Sequence, residues 1–281
     1  MNFYIIYAIC SKIEVDMFLP VSIEEVKKLG WDYIDIIIIT GDAYIDSPFS
    51  GTAVIGKYLL KHGFRVAVIS QPDTESDKDI TVFGEPRLFW GINAGCVDSL
   101  VANYTATGKP RKMCDFTPNG INNKRPDRAS IVYTGLIRRF YKNTKPIVLG
   151  GIEASLRRIA HYDLKTDKVR RSILFDSKAD YIVYGMGELP VLEFAQALNN
   201  NGDVKKIKGL CYISKEVCYG AVILPSFEEA ASDKKLFHKM FKLFSDNSQT
   251  QSAKPLMQKT GDRYLIQNPP VYYNDEILDE I

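Results

Sequence analysis

Histidine is scarce: His62, His161 and His238 are the only three in 281 residues, and they lie far apart. No Ser or Cys sits in a nucleophile-elbow motif, so a hydrolytic triad has no support. His161, set among Arg157, Arg158, Tyr162 and Asp163, is the most interesting of the three, and it reads as a structural or surface histidine. Cysteine is also scarce and odd in number (Cys10, Cys96, Cys114, Cys211, Cys218). The spacings match neither a zinc ribbon nor a disulfide framework, so these residues read as reduced thiols. Cys211 and Cys218 are near enough to share a hairpin, but no His or third Cys lies close by. They read as apolar cysteines rather than a metal clasp. No apolar run reaches the roughly 18–20 residues that cross a bilayer, and the run Ile34–Thr40 is interrupted by Asp35. The apolar Phe3–Cys10 stretch lacks basic residues before it and a cleavage site after it, which excludes a secretory signal. A cytoplasmic protein without a membrane partner is the expectation, with residues 1–16 as an extension ahead of the first domain.

What is present is ordinary globular material: 46% hydrophobic and 25% charged residues, enough for a substantial core. Ser22 followed by Glu24 and Glu25 starts a short helix that stops at Gly30. The β-branched run Tyr33–Thr40 suits a strand buried on both faces of a parallel sheet, and Gly41-Asp42 closes it. Helical spacing over Gly51–His62 then alternates with strands at Phe64–Ser70 and Arg87–Ile92. A helix at Ile131–Tyr141 precedes strands at Pro146–Leu149 and Asp180–Tyr184, and a helix follows at Leu189–Leu198. Strand, Gly-rich turn and helix in repetition predict an α/β fold with a doubly wound, mostly parallel sheet, flavodoxin-like or cobalamin-binding-like, over residues 17–205. Residues 206–281 read as a hairpin of Leu210–Ser214 with Val217–Leu224, a helix over Phe227–Phe244, a polar linker at Ser245–Ser252 and a short strand at Arg263–Asn268.

Each Gly-rich turn falls at the carboxyl end of a strand, where open α/β sheets bind ligands. The candidate ligand-binding residues are Gly41, Asp42, Asp46, Asn93, Gly95, Gly150, Gly151, Glu153, Gly185, Gly187 and Glu188. The competing reading is that the glycines only permit tight βα turns. Gly51–Lys57 has phosphate-loop spacing, but Tyr58 stands where Ser or Thr would ligate magnesium, which argues against nucleotide hydrolysis. Gly185-Met186-Gly187 opens like a dinucleotide fingerprint, yet Pro190 replaces the third glycine. Net charge is +2, but Thr105–Arg171 carries sixteen Lys and Arg against five acids, a basic belt.

The segments Thr40–Asp46, Val101–Ala106, Asn123–Ala129, Val148–Tyr162 and Asp167–Asp180 together resemble the N-terminal region of YgiQ-type radical SAM proteins, from about Phe18 to Leu198 and again at Arg263–Pro270. The resemblance implies a cobalamin-binding-like α/β domain followed by a radical SAM barrel. In that barrel a Cys-x-x-x-Cys-x-x-Cys loop holds a [4Fe-4S] cluster that cleaves S-adenosylmethionine. This sequence has no such loop, so the expectation is that it holds no cofactor itself, is inactive alone, and works with a barrel supplied elsewhere, as from a truncation, a split gene or an interrupted frame. Cobalamin is disfavoured, because Pro48 stands where the Asp-x-His-x-x-Gly turn of such domains places its cobalt-ligating His. On this reading the loop edge faces an unidentified substrate or partner. The pairs Arg157, Arg158 and Arg170, Arg171 then bind an anion or dock the barrel. The alternative is a non-enzymatic module that binds nucleic acid through the belt, with Tyr104, Phe116, Tyr133, Phe140 and Tyr141 as stacking surfaces.

Overall fold

The computed structural model describes residues 17–281, so the extension expected at residues 1–16 lies outside the described residues. Helix α1 (Ile23–Lys28) begins at Ser22, whose hydroxyl accepts the Glu25 N–H while the Glu25 carboxylate returns to the Ser22 N–H. The five residues of β1 (Ile36–Thr40) are all buried. Ile36 and Ile38 enter the core on one face of the sheet, and Ile37 and Ile39 enter the core on the other. Each fully buried isoleucine contributes roughly 2–3 kcal/mol of apolar transfer, so this strand alone anchors both layers.

Strands β2 (Val66–Ser70), β3 (Phe89–Asn93), β4 (Ile147–Leu149) and β7 (Tyr181–Val183) join β1 in parallel, in the order β2-β1-β3-β4-β7. Helices α2 (Gly51–Lys61) and α7 (Glu188–Asn199) cover the face that holds Ile36 and Ile38, with Leu59 and Phe194 buried there. Helix α4 (Ala129–Phe140) covers the opposite face through Tyr133 and Ile137. Short helices α3 (Ser99–Asn103), α5 (Gly151–Leu156) and α6 (Ile173–Ser177) fill the connections. A separate antiparallel pair, β5 (His161–Asp163) with β6 (Lys168–Arg170), projects between α5 and α6. This is the expected doubly wound α/β fold.

After residue 205 the chain continues the same sheet, in a pairing other than the hairpin expected from the sequence. Strand β8 (Leu210–Ser214) lies antiparallel to β7 on one side and to β11 (Arg263–Gln267) on the other. Strand β9 (Val222–Leu224) does not pair with β8; it runs parallel to β10 (Leu256–Thr260) at the far edge. The tight hairpin is β10–β11, turning at Gly261, whose φ of +59° glycine adopts without strain. Burial decides the arrangement: Leu210 and Cys211 are completely buried and need strands on both sides, whereas Ile223 of β9 is 68% exposed and suits an edge. The helix expected over Phe227–Phe244 is two, α8 (Phe227–Ser232) and α9 (Lys234–Asp246), divided at Asp233, whose extended backbone and carboxylate cap the second. A final helix, α10 (Asp275–Glu280), follows the Pro269-Pro270 pair.

Candidate functional site

With β1 between β2 and β3, the connections leaving β1 and β3 diverge to opposite faces and open a crevice at the carboxyl edge. It is a cavity of about 380 Å³ that runs down between the sheet and helices α2 and α7. Its throat is apolar, formed by Ile36, Ile38, Leu59, Phe89, Val148 and Val183. Gly91, in the middle of β3, lines the same throat and leaves unfilled the space that a side chain would occupy. A Cβ added there would meet Ile38 and Phe89 at 3.6 and 3.9 Å, ordinary contact distances. Glycine inside a strand is costly, and it marks places where another group approaches closely.

Of the candidate residues, the mouth brings together Asp42, Asn93, Gly95, Gly150, Gly151, Gly185, Gly187 and Glu188. Asn93 ties three elements: its Oδ1 accepts from the Thr40 hydroxyl and the Gly95 N–H, both at 2.9 Å, and its Nδ2 donates to the Thr52 hydroxyl at 3.1 Å. Asp42 is buried against the fully buried Arg125 guanidinium and accepts the Cys96 N–H at 2.6 Å. Gly95, at φ +109°, passes so close to the Asp42 carboxylate that a Cβ would collide with it. Asp42 therefore shapes the wall rather than offering a free charge. Helices α2 and α7 both start at the mouth, and neither N-cap makes a side-chain cap; the first-turn N–H groups of α2 lack that partner, whereas in α7 the Leu189 N–H donates to the Tyr273 hydroxyl at 3.2 Å and Pro190 has no N–H. Among the described residues the buried Oε2 of Glu188 has no hydrogen-bond partner. The thiol of Cys96, also at the mouth, is pushed up to about 11 by partial desolvation of its sulfur, although the residue as a whole is exposed, and by the Asp42 carboxylate, so it is no thiolate near neutrality.

Three expected residues do not line the crevice. Gly41 lies under the Ala94 carbonyl, which an added Cβ would strike, and its own carbonyl accepts from Gln71 and Arg125. Asp46 forms an ion pair with Lys57 at 2.6 Å. Glu153 is buried and bridges two helix starts, accepting the Ser99 N–H of α3 at 3.0 Å and the Ser130 N–H of α4 at 2.9 Å. Sequence reasoning in turn missed Gly91, Thr52 and Arg125, whose roles depend on neighbours distant in the chain.

The four arginines expected to present charge outward are engaged within the chain. Arg157 pairs with the buried Asp98, which caps α3. Arg158 donates to Gln267 at 3.0 Å and lies between the rings of Tyr184 and Phe244 at 4.6 and 4.5 Å. Arg170 and Arg171 both pair with Asp176. Across the belt, seven of sixteen cations hold an acid, several from outside it, as in Arg125–Asp42 and Arg138–Asp180. The expected stacking aromatic Tyr133 is completely buried.

The donor sets decide which cofactors these residues fit. Among the described residues, Cys114 and Cys211 are buried, Cys218 half-buried and Cys96 exposed, and no three His, Cys, Asp or Glu converge as metal ligands. A cluster held by three thiolates does not fit this arrangement. No His lines the crevice, and the side chain of Pro48 offers no ligating atom, so a cobalt ion held by a protein imidazole does not fit either. Among the described residues no helix is long and apolar enough to cross a membrane.

Comparison with known proteins adds an independent line of evidence. The family model described as radical SAM N-terminal matches residues 18–281. A UPF0313 protein of Fusobacterium nucleatum is 54% identical over 266 residues, covering 94% of this chain and 47% of the relative. UPF0313 proteins of Thermotoga petrophila and Methanocaldococcus jannaschii are 52% and 43% identical over 269 and 274 residues, covering 94% of this chain and 47% and 44% of those relatives. The chain thus spans about half the length of the curated relatives it matches. Among solved structures, the radical S-adenosylmethionine methyltransferase TsrM from Kitasatospora setae aligns with a TM-score of 0.43 at 19% identity, over 63% of this chain and 28% of that one.

Proposed function

As this chain belongs to the radical SAM N-terminal family, we propose that it forms the substrate- or partner-facing α/β half of a radical SAM protein, with the cluster chemistry carried by the half of its relatives' length that it does not match. The observation that supports this reading is the crevice, where eight residues from four strand ends converge on an apolar throat. Bound in the catalytic half, [4Fe-4S] and S-adenosylmethionine supply a radical by reductive cleavage. The residues of this chain hold a ligand. The throat takes an apolar body, the N–H groups at the start of α2 receive a polar or anionic head, and Glu188 Oε2 accepts a donor. Phe49, Ile152 and Met186 are exposed at the same edge, Phe49 by 92%, and supply apolar surface for the catalytic half to cover. The nucleic-acid reading of the belt is weaker, because so many of its cations already hold an internal acid.

Anaerobic reconstitution of the chain alone with iron and sulfide, followed by reduction and addition of S-adenosylmethionine, tests the division of labour. No 5′-deoxyadenosine should form, and iron should stay far below four per chain. Stoichiometric cluster with cleavage of S-adenosylmethionine would overturn it.

A further inference from the structure

We propose that the amino edge of the sheet carries a second site, a groove that takes a ligand with closely spaced phosphates. Tyr181 opens β7, Ser214 closes the antiparallel β8 and Arg263 opens β11, so the groove between them lies at the end of the sheet opposite the crevice. It has a volume of about 650 Å³ and a floor of Phe175, Tyr181 and Tyr212.

Charge is the argument. Five cations line the groove, Arg171, Lys178, Lys205, Lys215 and Arg263, against one acid, Asp180. The Asp180 carboxylate is already taken by Arg138 and by the Ile147 N–H. Arg171 shares Asp176 with Arg170, and Arg263 reaches only its neighbour Asp262 at 3.8 Å. Lys178, Lys205 and Lys215 form no ion pair among the described residues; the nearby Asp203 caps the Lys205 N–H and faces Lys206. Two guanidinium groups, those of Arg171 and Arg263, lie over the same Phe175 ring at 5.9 and 5.3 Å, and the Lys205 ammonium lies 5.6 Å from the Tyr212 ring. Like charges gathered round one cavity repel until an anion enters. A single carboxylate satisfies one guanidinium fork, whereas five cations spread along a groove match several oxyanions in a row, as in a polyphosphate or a nucleic-acid backbone. Four of the five lie outside the basic belt, so this site is separate from the belt reading.

The test measures binding of two probes, inorganic tripolyphosphate by calorimetry and a fluorescein-labelled single-stranded RNA 12-mer by anisotropy, between 50 and 200 mM salt. The groove variant is Lys178→Glu, Lys205→Glu, Lys215→Glu. A control of equal charge change, Lys234→Glu, Lys239→Glu, Lys254→Glu, alters exposed lysines outside the groove. The groove variant should bind at least tenfold more weakly and the control within threefold of the parent. About three phosphate contacts to a single strand give a slope near −2 in log K against log salt. Tripolyphosphate binding that depends on the groove identifies a free polyphosphate group as sufficient, and groove-dependent binding of RNA alone identifies a strand. Absence of saturable binding to both probes, or equal loss in the control, would overturn the proposal.

Discussion

Glu153 shows how one side chain can look like a ligand residue and be a structural one. Next to the Gly150-Gly151 turn, an acid reads as part of a binding edge. Its partners, the N–H groups of Ser99 and Ser130, come from 54 and 23 residues away, and no local pattern announces them. A buried carboxylate on two helix starts satisfies donors that have no partner inside their helices, and each charged hydrogen bond is worth about 1.5–3 kcal/mol. Glu153→Ala should therefore cost about 3 kcal/mol in urea denaturation, and Glu153→Gln less; a loss below 1 kcal/mol for the alanine variant would show that the carboxylate does not hold the two helices. His161, read from the sequence as a structural or surface histidine, makes a second case. Burial lowers its ring to about 4, so the folded state keeps it neutral where an unfolded ring, near 6.5, is protonated. Unfolding then takes up a proton between those values, and stability falls as pH drops from 6.5 towards 4. His161→Gln should remove about 2 kcal/mol of that fall by pH 4.5. Parallel pH profiles for parent and variant would contradict it.

At the scale of elements, the parallel half of the molecule was legible because its strands are short apolar runs closed by glycine turns, as at Ile36–Thr40 before Gly41 and Ile147–Leu149 before Gly150. The crevice followed from the same logic, since turns at strand carboxyl ends must share an edge. The antiparallel half was less legible, because the partners of β8 are set by burial. Leu210 and Cys211 take neighbours from β7 and, more than fifty residues on, from β11, while the nearer Val222–Leu224 goes to the far edge. The expected boundary at residue 205 can be tested on this ground. A chain ending there leaves β7 as a bare edge and removes the buried Leu210, Leu265 and Ile266 from the core. Residues 17–205 alone should lose cooperative thermal unfolding and near-ultraviolet circular dichroism. A sharp transition at the melting temperature of the full chain would mean that the first five strands fold independently.

Over the whole molecule, charge that looks segregated along the sequence is partly reunited in space, with seven of the sixteen belt cations holding an acid. Asp42, Asp98, Asp176 and Asp180, all outside the basic belt, reach into it as partners. Five cations line the groove at the amino edge, while the apolar crevice opens at the carboxyl edge. One sheet thus offers two chemically distinct ends, and the proposed function assigns its ligand to the second. Titration of parent and Gly91→Val with 8-anilinonaphthalene-1-sulfonate, an apolar aromatic body with one anionic head, tests that assignment most directly. Valine suits a strand, and its Cβ meets only ordinary contacts at this position, so the melting temperature should be retained while the throat fills. The parent should bind one equivalent at a saturable site and Gly91→Val should bind at least tenfold more weakly; equal affinity in the two proteins would contradict the crevice as the ligand site.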